Sequence, residues 1–103
     1  MGLDFAIDEL YATGWQTLDS TGCGCTPEGR LFPGVDRITQ EFARSGFTLS
    51  LRRMDPFDCT RAEWADSSGR TAGGVVGSHP EEAAVYALAH LRRQTVLQAV
   101  GTP

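Results

Sequence analysis

The chain has 103 residues, a formal net charge of −4 and a hydrophobic fraction of 41%. This length suits one domain with one core, and no apolar run approaches the roughly 18 residues needed to cross a membrane. The sequence contains neither Lys nor Asn, which excludes Schiff-base chemistry, a P-loop lysine and a Cys-His-Asn triad.

The charge is unevenly distributed along the chain. Residues 1–29 carry a net charge of −5, whereas residues 30–103 carry +1. The acidic, amphipathic N-terminus lacks the basic start and apolar run of a signal peptide, so we expect a cytoplasmic protein. An acidic total also argues against nucleic-acid binding, although local arginine clusters matter more than net charge.

The first predicted element is a helix over residues 4–13. Leu3, Ile7 and Leu10 recur at helical spacing, with Asp4 as the expected N-cap and Gly14 as the expected stop. A short extended segment is expected next, at Trp15, Thr17 and Leu18. Residues 19–29, DSTGCGCTPEG, predict a loop because they are dense in Gly, Ser, Thr and Pro.

A second helix is predicted over residues 35–45, with Val35, Ile38 and Phe42 on its apolar face and Gly46 beyond its end. The hydrophobic period then changes to two, which predicts strands over residues 47–52, 60–66 and 70–76. A loop at 54–59 and a turn at 66–69 separate them. Glycines in and after the third strand indicate a bulge or a close backbone approach, at Gly73, Gly74 and Gly77.

The last predicted element is an Ala- and Leu-rich helix over residues 80–100, with a capping box from Ser78 to Glu81. The whole order predicts an α+β two-layer sandwich: a three-stranded antiparallel meander packed on helices, with an extra N-terminal helix. We assign residues 1–34 to an extension made of the acidic helix and a Cys/Gly loop. Residues 35–100 form the α-β-β-β-α domain, and both parts belong to one folding unit.

From Val35 to Arg93 this order resembles the double-stranded-RNA-binding domain. The run GGVVGSHPEEAAVYALAHL is similar to that family's Gly-rich strand followed by its Ala-rich helix. The family grips phosphates with a lysine cluster at the start of the last helix, and it inserts the segment between its first two strands into a minor groove. Here that segment is the acidic MDPFDC, so no RNA contact carries over. The positions of the lysine cluster are occupied by His79, Pro80, Glu81 and Glu82.

Two looser likenesses imply no chemistry. The layout, including an early Gly-Trp pair, resembles small phage "ABA sandwich" proteins. The runs FDCTRAEW and EEAAVYALAHLRR resemble uncharacterised small bacterial proteins.

Zinc is the one cofactor for which the chain has suitable ligand types. The candidate ligands are Cys23, Cys25, Cys59 and His79. The C-x-C spacing is not the usual zinc knuckle, so we favour free or buried thiols in a reducing compartment and expect no cofactor. A redox pair, Cys23–Cys25 or Cys25–Cys59, is the third alternative.

The sequence contains no convergent catalytic set. Cys59 beside Asp58 lacks the surroundings of an activated nucleophile, and Asp55 and Asp58 fit turn residues around Pro56 better than paired carboxylates. We therefore expect a protein that is not an enzyme.

The candidate binding residues are arginines: Arg52, Arg53, Arg61, Arg92 and Arg93. Arg52 and Arg61 are expected on one sheet face, where they could grip a phosphate or an acidic partner, or simply form cross-strand pairs with Glu63. Our leading hypothesis is a non-catalytic protein-interaction module, an accessory subunit or a homodimer, that contacts its partner through the sheet edges and the acidic N-terminal helix. The alternative is an RNA- or ribosome-binding module that uses the arginines.

Overall fold

The computed structural model describes residues 2–16, 21–55 and 57–101, with side chains described as far as Gln94. Three helices, α1 (Leu3–Ala12), α2 (Val35–Arg44) and α3 (Pro80–Gly101), combine with five strands. The strands are β1 (Cys23–Cys25), β2 (Leu31–Pro33), β3 (Thr48–Met54), β4 (Cys59–Ala65) and β5 (Thr71–Gly77). The predicted α+β class is confirmed. Within the described chain, no helix has the length and apolar character needed to cross a membrane.

The main sheet is an antiparallel meander in the order β3-β4-β5. Leu49 faces Trp64 across β3 and β4, and Leu51 faces Ala62. Because side chains alternate along a strand, these four residues share the face that packs on the helices. Ser50, Arg52 and their partners on β4, Glu63 and Arg61, lie on the opposite face.

Helix α3 is the centre of the fold. It packs on all three strands of the meander and on both other helices. Seven of its apolar positions are fully or almost fully buried: Ala83, Ala84, Val85, Ala87, Leu88, Ala89 and Leu91. These positions point in nearly every direction around the helix, as expected for a helix enclosed by other elements. Tyr86 and His90, four residues apart, are only partly buried and mark its one open flank.

The loop predicted over residues 19–29 is wrong in part, because it contains β1 and the turn of a two-stranded hairpin whose second strand, β2, follows it. Asp19 and Ser20 of that prediction lie outside the described residues. β1 pairs antiparallel with β2, and Thr26 closes the connection by accepting hydrogen bonds from Gly29 N–H and, through Oγ1, from Arg30 N–H. Gly24 is required in β1, since a Cβ there would lie 2.7 Å from the Phe32 ring. Trp15 is not in a strand, and Thr17 and Leu18 lie outside the described residues.

Two predicted helix caps differ from the structure. Gly2, not Asp4, is the N-cap of α1. At α3 the helix begins at Pro80, so Glu82 rather than Glu81 occupies its third position, and a Ser78–Glu82 contact replaces the predicted Ser78–Glu81 box. Glu82 Oε2 accepts a hydrogen bond from Ser78 N–H at 2.7 Å. Glu82 is only 4% exposed, so this bond supplies part of the hydrogen bonding that its buried carboxylate needs.

The glycines of β5 confirm both features predicted for them. The register between β4 and β5 shifts between Trp64 and Ala65, which leaves Ala72 as the extra residue of a bulge. A Cβ at Gly73 would lie 2.3 Å from the Trp64 ring, and one at Gly77 would lie 2.7 Å from Ala83 N. These two glycines therefore allow the sheet to approach the core tryptophan and the start of α3.

The turn predicted between β4 and β5 is also confirmed. Asp66 Oδ1 accepts hydrogen bonds from the Ser68 hydroxyl, the Arg70 N–H and the Ser68 N–H. These bonds, the hydroxyl first, lower the pKa of Asp66. Gly69 closes the turn with a φ of 87°.

We expect Gly73→Ala to destabilise the protein by about 1–3 kcal/mol, because the new methyl group must displace the buried Trp64 ring. Gly74→Ala is the matched control: its methyl group would meet the end of the flexible Arg61 side chain at 2.8 Å, and we expect a change within about 0.5 kcal/mol. Urea unfolding of both variants measures the difference. Equal destabilisation by the two would contradict the role assigned to the Trp64–Gly73 contact.

Candidate functional site

The structure does not bring the five candidate arginines into one cluster. Arg52 and Arg61 face each other directly across β3 and β4, as predicted. Glu63 lies between them: its Oε1 accepts a hydrogen bond from Arg61 Nε and lies 3.8 Å from Arg52 Nη2. This pair of arginines is thus held by a shared carboxylate on the open face of the sheet.

The other three arginines lie elsewhere and also have partners. Arg53 pairs with Asp58 and, at 3.4 Å, with Asp55. Arg92 Nε donates to Thr13 Oγ1 at 2.9 Å, and Arg93 forms an ion pair with Glu9, also at 2.9 Å. Arg92 and Arg93 therefore connect α3 to α1 and its C-cap through side-chain contacts.

The candidate zinc ligands are distributed over three parts of the fold. Cys23 and Cys25 lie in β1, and Cys23 Sγ accepts a hydrogen bond from Arg37 Nη1 at 3.0 Å. Cys59 begins β4, and it lines a small cavity together with His79. All three thiols are free of disulfides, and the described residues contain no group of three His, Cys, Asp or Glu side chains arranged to hold a metal ion.

The two edges of the meander differ in how they are protected. β3 carries Arg52 and Arg53, and charged side chains of this kind prevent further strands from pairing. β5, with the sequence TAGGVVG, carries no charged side chain and no Pro, and within the described residues it pairs only with β4. Val76 is 49% exposed on this strand. The stretch from Gly73 to Gly77, beyond the bulge, is therefore a regular, unprotected edge.

A cavity of about 490 Å³ opens beside this edge. Its walls include Glu9 from α1, Glu82, Tyr86 and His90 from α3, and Val75 and Val76 from β5, and we call it the β5 groove. The three α3 residues recur every four positions, so they form one stripe along the open flank of that helix. The groove thus joins an apolar strand edge to a polar helix stripe.

The charged side chains that line the β5 groove are acidic. Glu9 and Glu82 are the charged residues among the described residues that line it, and no arginine does so. Burial raises the pKa of Tyr86, and the carboxylates of Glu82 and Glu9 raise it further because they oppose a second negative charge. Phe5, 57% exposed, lies one helical turn before Glu9 on α1 and adds an apolar side chain on that side of the helix.

Sequence reasoning named the sheet edges and the acidic helix as contact surfaces, but it missed Tyr86 and His90. The available signal was the stripe of polar side chains, Glu82, Tyr86 and His90, in an otherwise Ala- and Leu-rich helix. Comparisons with protein-family models, with curated proteins and with solved structures give no match. The properties of the site therefore rest on its own geometry.

We expect Glu82→Gln to lower the pKa of Tyr86, because the substitution removes a nearby negative charge and keeps a hydrogen-bond acceptor for Ser78 N–H. The residual burial keeps that pKa above the ordinary value of tyrosine. The measurement is a spectrophotometric titration in a Tyr11→Phe background, which leaves Tyr86 as the single tyrosine. Asp36→Asn, on α2, is the control, and an identical titration curve for the Glu82 variant would show that the groove is not negative.

Because the pKa of folded Tyr86 is raised, its contribution to the free energy of unfolding is complete below the unfolded pKa and is lost as the pH rises through the folded value. The titration must therefore be read only over the pH range in which circular dichroism shows the fold intact.

Proposed function

We propose that this chain is a non-catalytic protein-interaction module, an accessory subunit of a larger assembly, that binds its partner through the β5 edge and the β5 groove. The observation that carries the proposal is the unprotected edge from Gly73 to Gly77 beside a cavity of about 490 Å³. Strand edges without charge or Pro pair readily with another chain, which makes this edge a suitable place for a partner strand.

The position of the apolar surface supports the same proposal. Exposed Val76 and the groove-lining Val75 are consecutive residues of β5, so one points to each face of the strand. An incoming chain would cover both. We place the interaction in the cytoplasm, where the three thiols of the chain, none of them in a disulfide, would stay reduced.

RNA binding through the arginines has weaker support. Arg53, Arg61 and Arg93 each hydrogen-bond to a carboxylate, and releasing them toward phosphates would break those pairs. At the start of α3, where the resembled RNA-binding family has lysines, Glu81 and Glu82 would repel a phosphate backbone.

For duplex RNA we therefore expect only non-specific affinity, with a Kd of about 10⁻⁴–10⁻⁶ M at physiological salt. A titration with a duplex of about 16 base pairs, the span that such domains cover, tests this in the parent and in Arg52→Ala/Arg61→Ala. Submicromolar binding that disappears in the double variant would establish the RNA-binding alternative instead.

The proposed function is tested by placing a photo-crosslinking amino acid at position 76, on the β5 edge, and separately at position 48. Thr48 is an exposed β3 residue at the other side of the sheet and serves as the matched control. After irradiation in cells of the source organism, we expect a discrete protein crosslink from position 76 and none from position 48. The same products from both positions, or none from position 76, would exclude the β5 edge as the interaction surface.

A further inference from the structure

We infer that the β5 groove accepts an extended segment of the partner protein, which adds a fourth strand beside β5 and directs one Lys or Arg side chain toward Glu9 and Glu82. This inference rests on the proposed function and specifies the chemistry of the partner. It commits to a peptide segment of another protein, with apolar side chains on the strand face that turns toward the helices.

The backbone of β5 supplies the first part of the argument. β4 satisfies only one side of β5, and alternate N–H and C=O groups on the other side have no strand partner in the described chain. A segment of about five residues would match the regular stretch from Gly73 to Gly77. An added strand would not extend past the bulge at Ala72, because the edge of β5 is irregular there.

The groove supplies the second part. Side chains of an added strand would alternate, so every second one would turn toward the helix layer and enter the groove beside Tyr86. Val75 and Tyr86 offer apolar surface at this point, and the exposed Phe5 lies on the neighbouring helix. Apolar residues at alternating positions of the segment would bury these surfaces.

Charge complementarity supplies the third part. Glu82 is 4% exposed and accepts one hydrogen bond, from Ser78 N–H, so its carboxylate has acceptor capacity beyond that bond. Glu9 lines the same groove, and its carboxylate also pairs with Arg93 at 2.9 Å, with both side chains close to half exposed. A cation that reaches both carboxylates from the strand side would gain from their combined negative charge, whereas an acidic side chain there would be repelled.

A second copy of this chain does not fit these requirements. In a symmetric dimer the strand it would offer is β5 itself, whose sequence TAGGVVG contains no Lys or Arg for Glu9 and Glu82. The other edge strand, β3, does carry Arg52 and Arg53, but these already pair with carboxylates of their own chain, and its leucines already pack on the core.

The test is a selection of random peptides of about ten residues, displayed on phage, against the purified full chain. We expect the selected peptides to share alternating Val, Ile or Leu around one Lys or Arg. Hydrogen exchange with a bound synthetic peptide should newly protect those amides of residues 73–77 that point away from β4. Methylating the peptide nitrogens along one edge should abolish binding, because that edge pairs with β5.

The charge requirement is tested with Glu9→Gln/Glu82→Gln, whose fold is checked by its melting temperature. We expect this variant to bind the selected peptide at least about tenfold more weakly than the parent. Asp36→Asn/Glu41→Gln removes the same charge from α2 and should bind like the parent. Replacing the cation of the peptide with Gln should cause the same loss in the parent and no further loss in the groove variant.

Several outcomes would overturn the inference without touching the proposed function. These are a selection that yields no peptide, peptides without a cation, protection away from β5, or a dimer of this chain paired through β5. If position 76 nevertheless crosslinks a partner in cells, the interaction module stands and only its peptide chemistry is wrong. If position 76 crosslinks nothing, both proposals fail.

Discussion

The structure depends on the need to cover α3 on nearly all sides. Its buried alanines, valine and leucines point around most of the helix circumference, so one sheet cannot bury them all. The meander covers one side and α2 a second, and α1 covers a third with Ala6, Ile7 and Leu10. The α-β-β-β-α part therefore leaves apolar surface that the N-terminal extension must cover, and this places α1 where Glu9 can reach the groove beside β5.

Polar and aromatic contacts add to the apolar packing that attaches α1 and the hairpin to this core. Tyr11 and Trp15 stack with ring centroids 5.8 Å apart, and the guanidinium groups of Arg30 and Arg37 lie over the two rings. Arg30 also pairs with Asp8 at 2.6 Å. Such cation–π contacts contribute about 0.5–1 kcal/mol each where they are exposed. They join α1 to the end of the hairpin and to α2, and so hold in place the helix that forms one wall of the groove.

The elements with a strong hydrophobic period could be predicted from the sequence, whereas those set by distant contacts could not. Leu49, Ala62 and Trp64 alternate clearly, and their strands formed as predicted. The hairpin strands have three residues each, too few to show a period, and their Gly and Pro residues suggested a loop. The facing positions of Arg52 and Arg61 followed from the meander. The groove did not, because it depends on where α1 packs, and nothing local to Tyr86 or Glu9 indicates that they meet.

Packing in the core explains some of the uncharged residues of β5 but not all of them. Gly73 and Gly77 are required, because a Cβ at either would collide with Trp64 or with the backbone of α3. Gly74 is different, since a Cβ there would meet the movable end of Arg61 and, at an ordinary contact distance of 3.4 Å, the carbonyl oxygen of Ala62. Val76 is half exposed. A Lys or Glu at position 74 or 76 would fit this fold and would protect the edge, as Arg52 and Arg53 protect β3. The core therefore does not account for the lack of charge at these two positions, whereas the proposed partner strand would account for it.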